Sequence, residues 1–248
     1  GNKMAAVCVT TGPGATNAIT GVLGAWMDSI PMLVFSGQAR YATTVSASGL
    51  PLRSMGVQEC NIVPVVKSLT KYAHMIVHPE NIRYHLEKAL YLAVNGRPGP
   101  VWLDIPLDVQ GAVIETDDLK AYDPEENPEQ KPREIKDETV EQILDKLQES
   151  KRPVLSPGNG VRLAGAHEDF YQLAELLGVP VVTGMSSVDA IESDHPLFVG
   201  RSGEQNKTVL CTSEQRRASF SWQSSGICTD RIPVSGLGKR KLYHSERY

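Results

Sequence analysis

A Gly-Pro-Gly turn at Gly12 to Gly14 has the clearest chemical use in this chain. It follows the apolar run Met4 to Thr10 and precedes Ala15 to Met27, which has helical character and contains several Ala, Gly and Thr residues. Glycine permits unusual backbone dihedrals and lets a ligand approach the main chain closely. A second apolar run, Met32 to Ser36, completes a βαβ unit, in which ligands bind beyond the carboxyl ends of the strands. The pattern predicts a ligand-binding turn, and the alternative is a tight turn without a ligand.

The turn and its flanks resemble the pyrimidine-binding domain of thiamine-diphosphate enzymes, most closely the acetolactate synthase large subunit. The matching letters are VTTGPGATN at 9–17, DSIP at 28–31 and SGQ at 36–38. In that family the cofactor lies between two subunits, and the thiamine ylid attacks a 2-oxo acid such as pyruvate. Carbon dioxide leaves, and the enamine adds to a second oxo acid. The resemblance implies thiamine diphosphate, Mg2+ and, in some members, FAD, in a homodimer or homotetramer.

The resemblance also implies roles for residues near the turn. Gly12, Pro13, Gly14 and Asn17 match the family's GPGATN motif, which lies beside the cofactor and the dimer contact. Gln58 matches the glutamine of the family's AFQE motif, near the reacting end of thiamine. Gln58 is therefore a catalytic candidate, and the alternative is a polar residue at the start of a helix.

Two basic residues and a second glycine turn match further family motifs. Lys71 matches the lysine of the TKH motif at the mouth of the substrate channel, which makes it the other catalytic candidate. Its alternative is a surface lysine that buries only its stem. Arg97 matches the arginine of GRPGPV, which contacts FAD in FAD-binding members; alternatively, it forms a salt bridge at the sheet edge. The turn Gly158 to Gly160 either approaches FAD or only reverses the chain.

Departures from the family pattern leave other functions open. Val57 replaces the family's phenylalanine, Asn61 replaces an acidic residue, and the loop Tyr41 to Met55 is rich in Ser and Gly. A related thiamine-dependent decarboxylase or carboligase is the close alternative. The family's essential glutamate lies upstream of GPGATN, and its Mg2+-binding domain lies downstream. Both are expected outside this chain, so the isolated chain is expected to be inactive. A non-catalytic assembly remnant that pairs through the Ala15 to Met27 helix is the alternative of another class.

Alternating strand and helix patterns predict an α/β fold. We expect a partial parallel-sheet pyrimidine-binding domain at 1–115, a linker at 116–137 and a partial Rossmann-like central domain at 138–201. The first domain includes a helix at Pro79 to Val94 and a strand at Val101 to Ile105. The linker is rich in proline and charge, which favours an extended surface connector. In the third segment, Thr139 to Gln148 predicts an amphipathic helix and Val179 to Thr183 a strand.

The remaining segment, 202–248, is polar and has no convincing periodicity. With one choice of codons, the stretch Trp222 to Pro233 read one base later encodes Gly-Ser-Arg-Leu-Ala-Phe-Ala, which resembles the family at that place. An aberrant, frame-shifted tail is therefore one hypothesis, and a genuine divergent tail is the other.

Composition excludes several classes of function. The net charge of −4 gives no electrostatic case for binding nucleic acid or an anionic membrane. No apolar stretch is long enough to span a membrane. The 4 cysteines lack metal-ligand spacing, and no disulfide framework is expected in a chain of this size. The cysteine content therefore favours a reducing cytoplasm. His74, His78 and His85 are close in sequence, and solvated or capping roles are expected for them. A nicotinamide-binding fold is disfavoured because no GxGxxG follows a strand.

Overall fold

The computed structural model describes residues 3–130 and 135–202. The chain divides into two compact units, Gly1–Pro132 and Arg133–Tyr248. This division falls inside the segment predicted to be a linker. The predicted aberrant tail, apart from Ser202, lies outside the described residues.

The first unit is built on a parallel sheet, as predicted. Its strand order is β1-β2-β4-β3, and all three pairings are parallel. The carboxyl ends of the strands therefore lie along one edge of the sheet. The strands are β1 (Ala5–Val9), β2 (Met32–Gln38), β3 (Tyr72–Met75) and β4 (Pro100–Pro106).

Helices cover both faces of this sheet. They are α1 (Pro13–Asn17), α2 (Ile19–Met27), α3 (Val45–Ser48), α4 (Ile62–Val66), α5 (Ile82–Val94) and α6 (Leu107–Gln110). The α5 helix packs Leu92 and Ala93 on the face formed by Leu33 and Leu103. On the other face, helices α2 and α4 contribute to a core around the fully buried Trp102.

The helix predicted at Pro79 to Val94 is confirmed, since α5 follows a 3-10 turn at Pro79–Asn81. The nearly continuous apolar run Met4 to Thr10 predicts a strand covered on both faces, and this prediction is wrong. Ala5, Ala6 and Cys8 are exposed because β1 is an edge strand of the described sheet. A continuous apolar run has the same pattern at an edge and at the centre of a sheet.

The predicted linker packs closely against α5. Tyr122 is buried, and its ring lies 5.7 Å from that of Tyr84 and 5.6 Å from that of Tyr91. The Tyr122 backbone N–H donates to the Glu87 carboxylate at 2.8 Å. Two 3-10 turns follow, at Pro124–Glu126 and Pro128–Gln130. The segment thus lies against α5 through one aromatic anchor that its composition did not indicate.

The expectation of solvated or capping histidines is wrong for two of the three. His74 and His85 stack with ring centroids 4.0 Å apart, and the Tyr72 hydroxyl lies 2.7 Å from His85 Nδ1. Burial, His74 and Lys88 lower the pKa of His85 to about 4, so this ring is neutral at pH 7. His74 projects from β3 and His85 from α5, which brings them together across the packed interface.

The second unit has its own core. Its elements are α7 (Asp137–Glu149), α8 (Gly160–Leu163), α9 (His167–Leu177), β5 (Val181–Thr183) and β6 (Phe198–Arg201). Strands β5 and β6 pair in parallel, and Phe170 and Ala174 of α9 form a core with Val181 of β5. Leu155 forms a single parallel bridge to Val181. Across the described residues, no helix is long and apolar enough to cross a membrane.

Candidate functional site

The Gly12 turn lies at the carboxyl end of β1. Gly12 has a φ of +55° and immediately precedes α1. A Cβ added to Gly12 would lie 2.1 Å from the carbonyl oxygen of Gln58. This position therefore needs glycine for its dihedral and for the close approach of a second backbone segment.

Gln58 supplies that second segment and is itself strained. It has a φ of +56°, and among the described non-glycine residues only Ser29 shares a positive φ. Thr11 Oγ1 lies 3.3 Å from the Gln58 carbonyl oxygen. Non-glycine residues in this dihedral region carry a cost and often occur at functional sites. The structure thus brings together two site candidates, Gly12 and Gln58, that are far apart in sequence.

A buried polar network supports this contact from below. The Thr11 hydroxyl donates to Gln38 Oε1 at 2.8 Å, and Gln38 Nε2 donates to Asp104 Oδ2 at 3.0 Å. Gln38 Nε2 also donates to the Cys60 carbonyl at 2.7 Å. Gln38 therefore joins the Gly12 turn, the segment that follows Gln58 and strand β4.

Asp104 is the buried charge at the base of this network. It is fully buried and accepts a hydrogen bond from the Ser36 hydroxyl at 2.5 Å. The Trp102 indole N–H in turn donates to Ser36 Oγ at 2.8 Å. Burial raises the pKa of Asp104 to about 6, although the hydrogen bonds from Ser36 and Gln38 act in the opposite direction. Sequence analysis missed Asp104, and its signal was a carboxylate within the apolar strand Val101 to Ile105.

The loop that carries Gln58 is held by its neighbour Glu59. The Glu59 carboxylate accepts backbone N–H groups of Val45 at 2.7 Å, Met55 at 2.8 Å and Gly56 at 3.0 Å. Burial acts to raise the pKa of Glu59, but these three hydrogen bonds outweigh it and leave the pKa lowered. The side chain of Val57, next to Gln58, is 86% exposed. The loop is thus fixed at its base and presents an apolar side chain.

The other residues of the predicted turn lie on α1. A Cβ added to Gly14 would lie 2.6 Å from Thr10 Cγ2, which makes the start of α1 closely packed. Pro13 and Asn17 are exposed. Asn17 lines a groove beside the edge strand, together with Val7, Gly21 and Met32. Pro13 and Asn17 therefore follow Gly12 on exposed surface.

Lys71 and Arg97 lie at the opposite end of the sheet. The Lys71 backbone N–H donates to the carbonyl of Pro100, the first residue of β4, at 2.8 Å. A strand rises about 3.3 Å per residue, so the amino end of β4 is about 20 Å from its carboxyl end. The structure therefore does not place Lys71 beside Gln58 within one chain.

Both basic residues have local partners. Lys71 Nζ donates to the Asn95 carbonyl at 2.5 Å, where it satisfies the end of α5. Burial lowers the pKa of Lys71 to about 8, with Glu129 acting in the opposite direction. Arg97 Nε donates to the Ser29 hydroxyl at 2.7 Å. These contacts support structural roles for both residues.

The second glycine turn opens α8 in the second unit. Apart from its chain neighbours, no described residue has an atom within 4 Å of a Cβ added to Gly158. The turn lines a small pocket beside Arg162, whose Nη2 lies 2.9 Å from Asp189 Oδ2. The turn is open enough for a ligand, and the arginine of this pocket already has an acidic partner.

Family comparisons match both units. Residues 1–51 match the family described as "Thiamine pyrophosphate enzyme, N-terminal TPP binding domain". Residues 140–214 match "Thiamine pyrophosphate enzyme, central domain", a match that extends past Arg201. The chain therefore belongs to the thiamine pyrophosphate enzymes.

Within this family the chain resembles acetolactate synthase large subunits. It is 37% identical over 216 residues to the acetolactate synthase large subunit of Corynebacterium glutamicum. The matched region covers 85% of this chain and 32% of that protein. It is 35% identical over 202 residues to the Lactococcus lactis large subunit, covering 81% of this chain and 33% of that protein. The large subunit of isozyme 3 from Escherichia coli is 33% identical over 208 residues, with shares of 81% and 34%. The chain thus spans about a third of the length of these relatives.

Proposed function

We propose that this chain forms part of a thiamine-diphosphate-dependent enzyme of the acetolactate synthase type. Such an enzyme decarboxylates a 2-oxo acid such as pyruvate and joins the remaining fragment to a second oxo acid. The observation that supports this most is the contact between Gly12 and Gln58, since both match family motifs and meet at the carboxyl edge of a parallel sheet. A cytoplasmic role in branched-chain amino acid biosynthesis is part of the proposal.

The residues around Gly12 fit the aminopyrimidine half of thiamine diphosphate. The exposed Val57 offers apolar surface to an aromatic ring, and exposed Asn17 offers an amide near the turn. Gln58 is the catalytic candidate of this site. When bound, the cofactor would supply a carbon nucleophile for addition to the oxo acid and a cationic ring that stabilises the carbanion left by decarboxylation. The chain's own residues hold and orient it.

The sites proposed for Mg2+ and FAD, and the substrate-facing role proposed for Lys71, rest on the family resemblance. No group of three or more His, Cys, Asp or Glu in the part of the chain that the structure describes could hold a metal ion. By the resemblance, we assign Mg2+ to the family's downstream Mg2+-binding domain. FAD is proposed to approach Arg97 and the Gly158 turn, and Lys71 to face an oxo acid at a surface other than that of Gly12. A homodimer or homotetramer is the proposed assembly.

An NMR titration of the full chain tests the half-site. Thiamine lacks the diphosphate, and pyrophosphate lacks the pyrimidine ring, so the pair separates the two halves of the cofactor. We expect thiamine and thiamine diphosphate to shift the amide resonances of Gly12, Asn17 and Gln58, and pyrophosphate to leave them unchanged. Shifts caused by pyrophosphate alone, or no shifts at these residues at saturating thiamine, would overturn the proposal.

A second candidate function is non-catalytic assembly with full-length large subunits. It is favoured by the exposed apolar face of α2, where Leu23, Trp26 and Met27 are 40%, 39% and 67% exposed. Gly21 and Gly24 on the same helix leave open space that a partner helix could enter. Turnover of pyruvate by the isolated chain would reject this candidate.

Size-exclusion chromatography with the full-length Corynebacterium glutamicum large subunit tests the assembly candidate. We expect co-elution that is abolished by Leu23→Glu, because the charge would be buried in the contact. Leu176→Glu is the matched control, since Leu176 is 51% exposed on α9 in the other unit. Co-elution that survives Leu23→Glu would contradict pairing through α2.

A further inference from the structure

The Gln38 side chain uses all of its hydrogen-bonding groups. Its Nε2 donates to Asp104 Oδ2 and to the Cys60 carbonyl. Its Oε1 accepts the Thr11 hydroxyl at 2.8 Å and the Ala39 backbone N–H at 3.0 Å. A rotated amide would place its oxygen against two acceptors and its NH2 group against the Ala39 donor. The orientation is therefore determined by its partners.

The Asp104 carboxylate anchors this orientation. One oxygen accepts from Gln38 and the other from Ser36, so the ionised form satisfies donors on both sides. Protonation converts one acceptor into a donor, which must find a new partner in a fully buried place. The consequence would pass along Gln38 to Thr11 and Cys60, which flank the contact of Gly12 with Gln58.

We propose that Asp104 is a positioning residue that, through Gln38, sets the geometry of the Gly12–Gln58 contact. Its importance for catalysis rests on the function proposed above. Asp104 touches no cofactor in this role, since Gln38 and Thr11 lie between it and the turn. Protonation of Asp104 would loosen or shift the strained Gln58 backbone and so change the surface offered to the aminopyrimidine.

Few of the described groups that face Asp104 could produce a pH response of their own at this position. Facing residues in the neighbouring strands and in the segment before α4 are Ser36, Gln38, Met75 and Cys60. Of these only the Cys60 thiol can titrate, and it is only partly buried. Cys60→Ser is therefore included as a control in the experiment.

The test is a pH titration of the full chain followed by two-dimensional NMR. The reporters are the Trp102 indole N–H and the backbone amides of Gly12 and Gln58. We expect all three to shift with one midpoint, near pH 6, and to stop shifting in Asp104→Asn. Asp108→Asn, which removes an exposed carboxylate nearby, should leave the three curves unchanged, as should Cys60→Ser.

Two further variants separate the branches of the network. Gln38→Ala should remove the titration at Gly12 and Gln58 while Trp102 still titrates through Ser36. Ser36→Ala should do the reverse. In each variant the reporter that still titrates shows that the protein is folded. Gly12 and Gln58 curves that persist in Gln38→Ala, or reporters without a common midpoint, would overturn the proposal.

This outcome is distinguishable from failure of the proposed function. The pH titration contains no thiamine, and the thiamine titration is made at a fixed pH. Common midpoints without a response to thiamine would support the positioning role and reject the cofactor site. A response to thiamine without common midpoints would support the cofactor site and reject the positioning role.

Discussion

At the scale of single residues, the contact between Gly12 and Gln58 combines an unfavourable backbone dihedral with a very close approach of two backbones. Both have positive φ, and the backbones approach so closely that only glycine fits at position 12. Strain of this kind persists only where surrounding contacts outweigh it. The network of Thr11, Gln38 and Asp104 supplies such contacts, which explains why polar groups are buried at this edge of an otherwise apolar sheet.

Substitution of Gly12 by alanine measures the close approach. Gly12→Ala introduces a Cβ 2.1 Å from the Gln58 carbonyl oxygen and should lower the free energy of unfolding by about 3 kcal/mol or more. Gly49→Ala is the matched control, because Gly49 has a φ of +65° but open space around a Cβ. It should cost about 1 kcal/mol. Equal losses in urea unfolding would show that the dihedral alone requires glycine.

The pH dependence of stability tests the buried Asp104. Its pKa of about 6 in the folded chain lies above the ordinary 3.8, so the folded state holds the proton more tightly. Its contribution to stability is present below pH 3.8 and is lost as pH rises through about 6. The stability of the wild type relative to Asp104→Asn should therefore fall by about 2–3 kcal/mol between pH 4 and pH 7.

Other groups respond in the same pH range, so the comparison uses the difference between the two proteins. The lowered pKa of His85 makes its contribution fall as pH decreases, which is the opposite direction. Because His85 is present in both proteins, its effect cancels. Asp108→Asn should show the same pH profile as the wild type. A constant difference between the wild type and Asp104→Asn would contradict a raised Asp104 pKa.

At the scale of elements, the helical spacing of apolar residues correctly predicted which face of α5 packs on the sheet. Ile82, Leu86 and Leu90 recur at helical spacing, and α5 packs this stripe on the sheet. Sequence could not show that Met4 to Thr10 forms an exposed edge strand, because strand order is a long-range property. Nor could it show that Gln58 precedes α4 in a strained turn, since polar residues also begin helices.

The candidate site was predictable in part for the same reason. The Gly12 turn and Gln58 carry family motifs, but their contact depends on a chain reversal that no local pattern encodes. Asp104 was missed because one carboxylate in a strand reads equally as a solvated position. Its partners, Ser36 and Gln38, alternate on the neighbouring strand. Only the parallel register shows that Ser36 lies opposite Asp104 and Gln38 opposite Pro106, two residues further along β4.

The segment that follows α6 offers a test at this scale. Tyr122→Ala removes the ring that lies against Tyr84 and Tyr91 and should destabilise the first unit by about 2–4 kcal/mol. Hydrogen exchange of the Tyr122 amide, which donates to Glu87, should increase with it. Tyr122→Phe loses only the hydroxyl bond to Asn127 and should cost about 1 kcal/mol. Equal effects of the two variants would show that ring packing does not hold the segment.

At the scale of the whole molecule, each of the two units has core packing of its own, and the first unit carries the proposed half-site. The first unit holds the Gly12 turn and the buried network, and the second has its own core around Phe170. Family matches in both units mean that each carries a recognisable domain segment. The folding of the proposed half-site should therefore depend on the first unit.

Core substitutions in the two units test this independence. Phe170→Ala should remove about 3–5 kcal/mol from the second unit. Leu103→Ala should remove about 2–5 kcal/mol from the first unit, because Leu103 is fully buried beneath α5. Residue-resolved hydrogen exchange should show each loss only within its own unit, since each core cluster among the described residues lies within one unit. The Gly12 and Gln58 amides should thus respond to Leu103→Ala and not to Phe170→Ala. Loss of protection in both units from either substitution would show that they unfold together and that the half-site requires the second core.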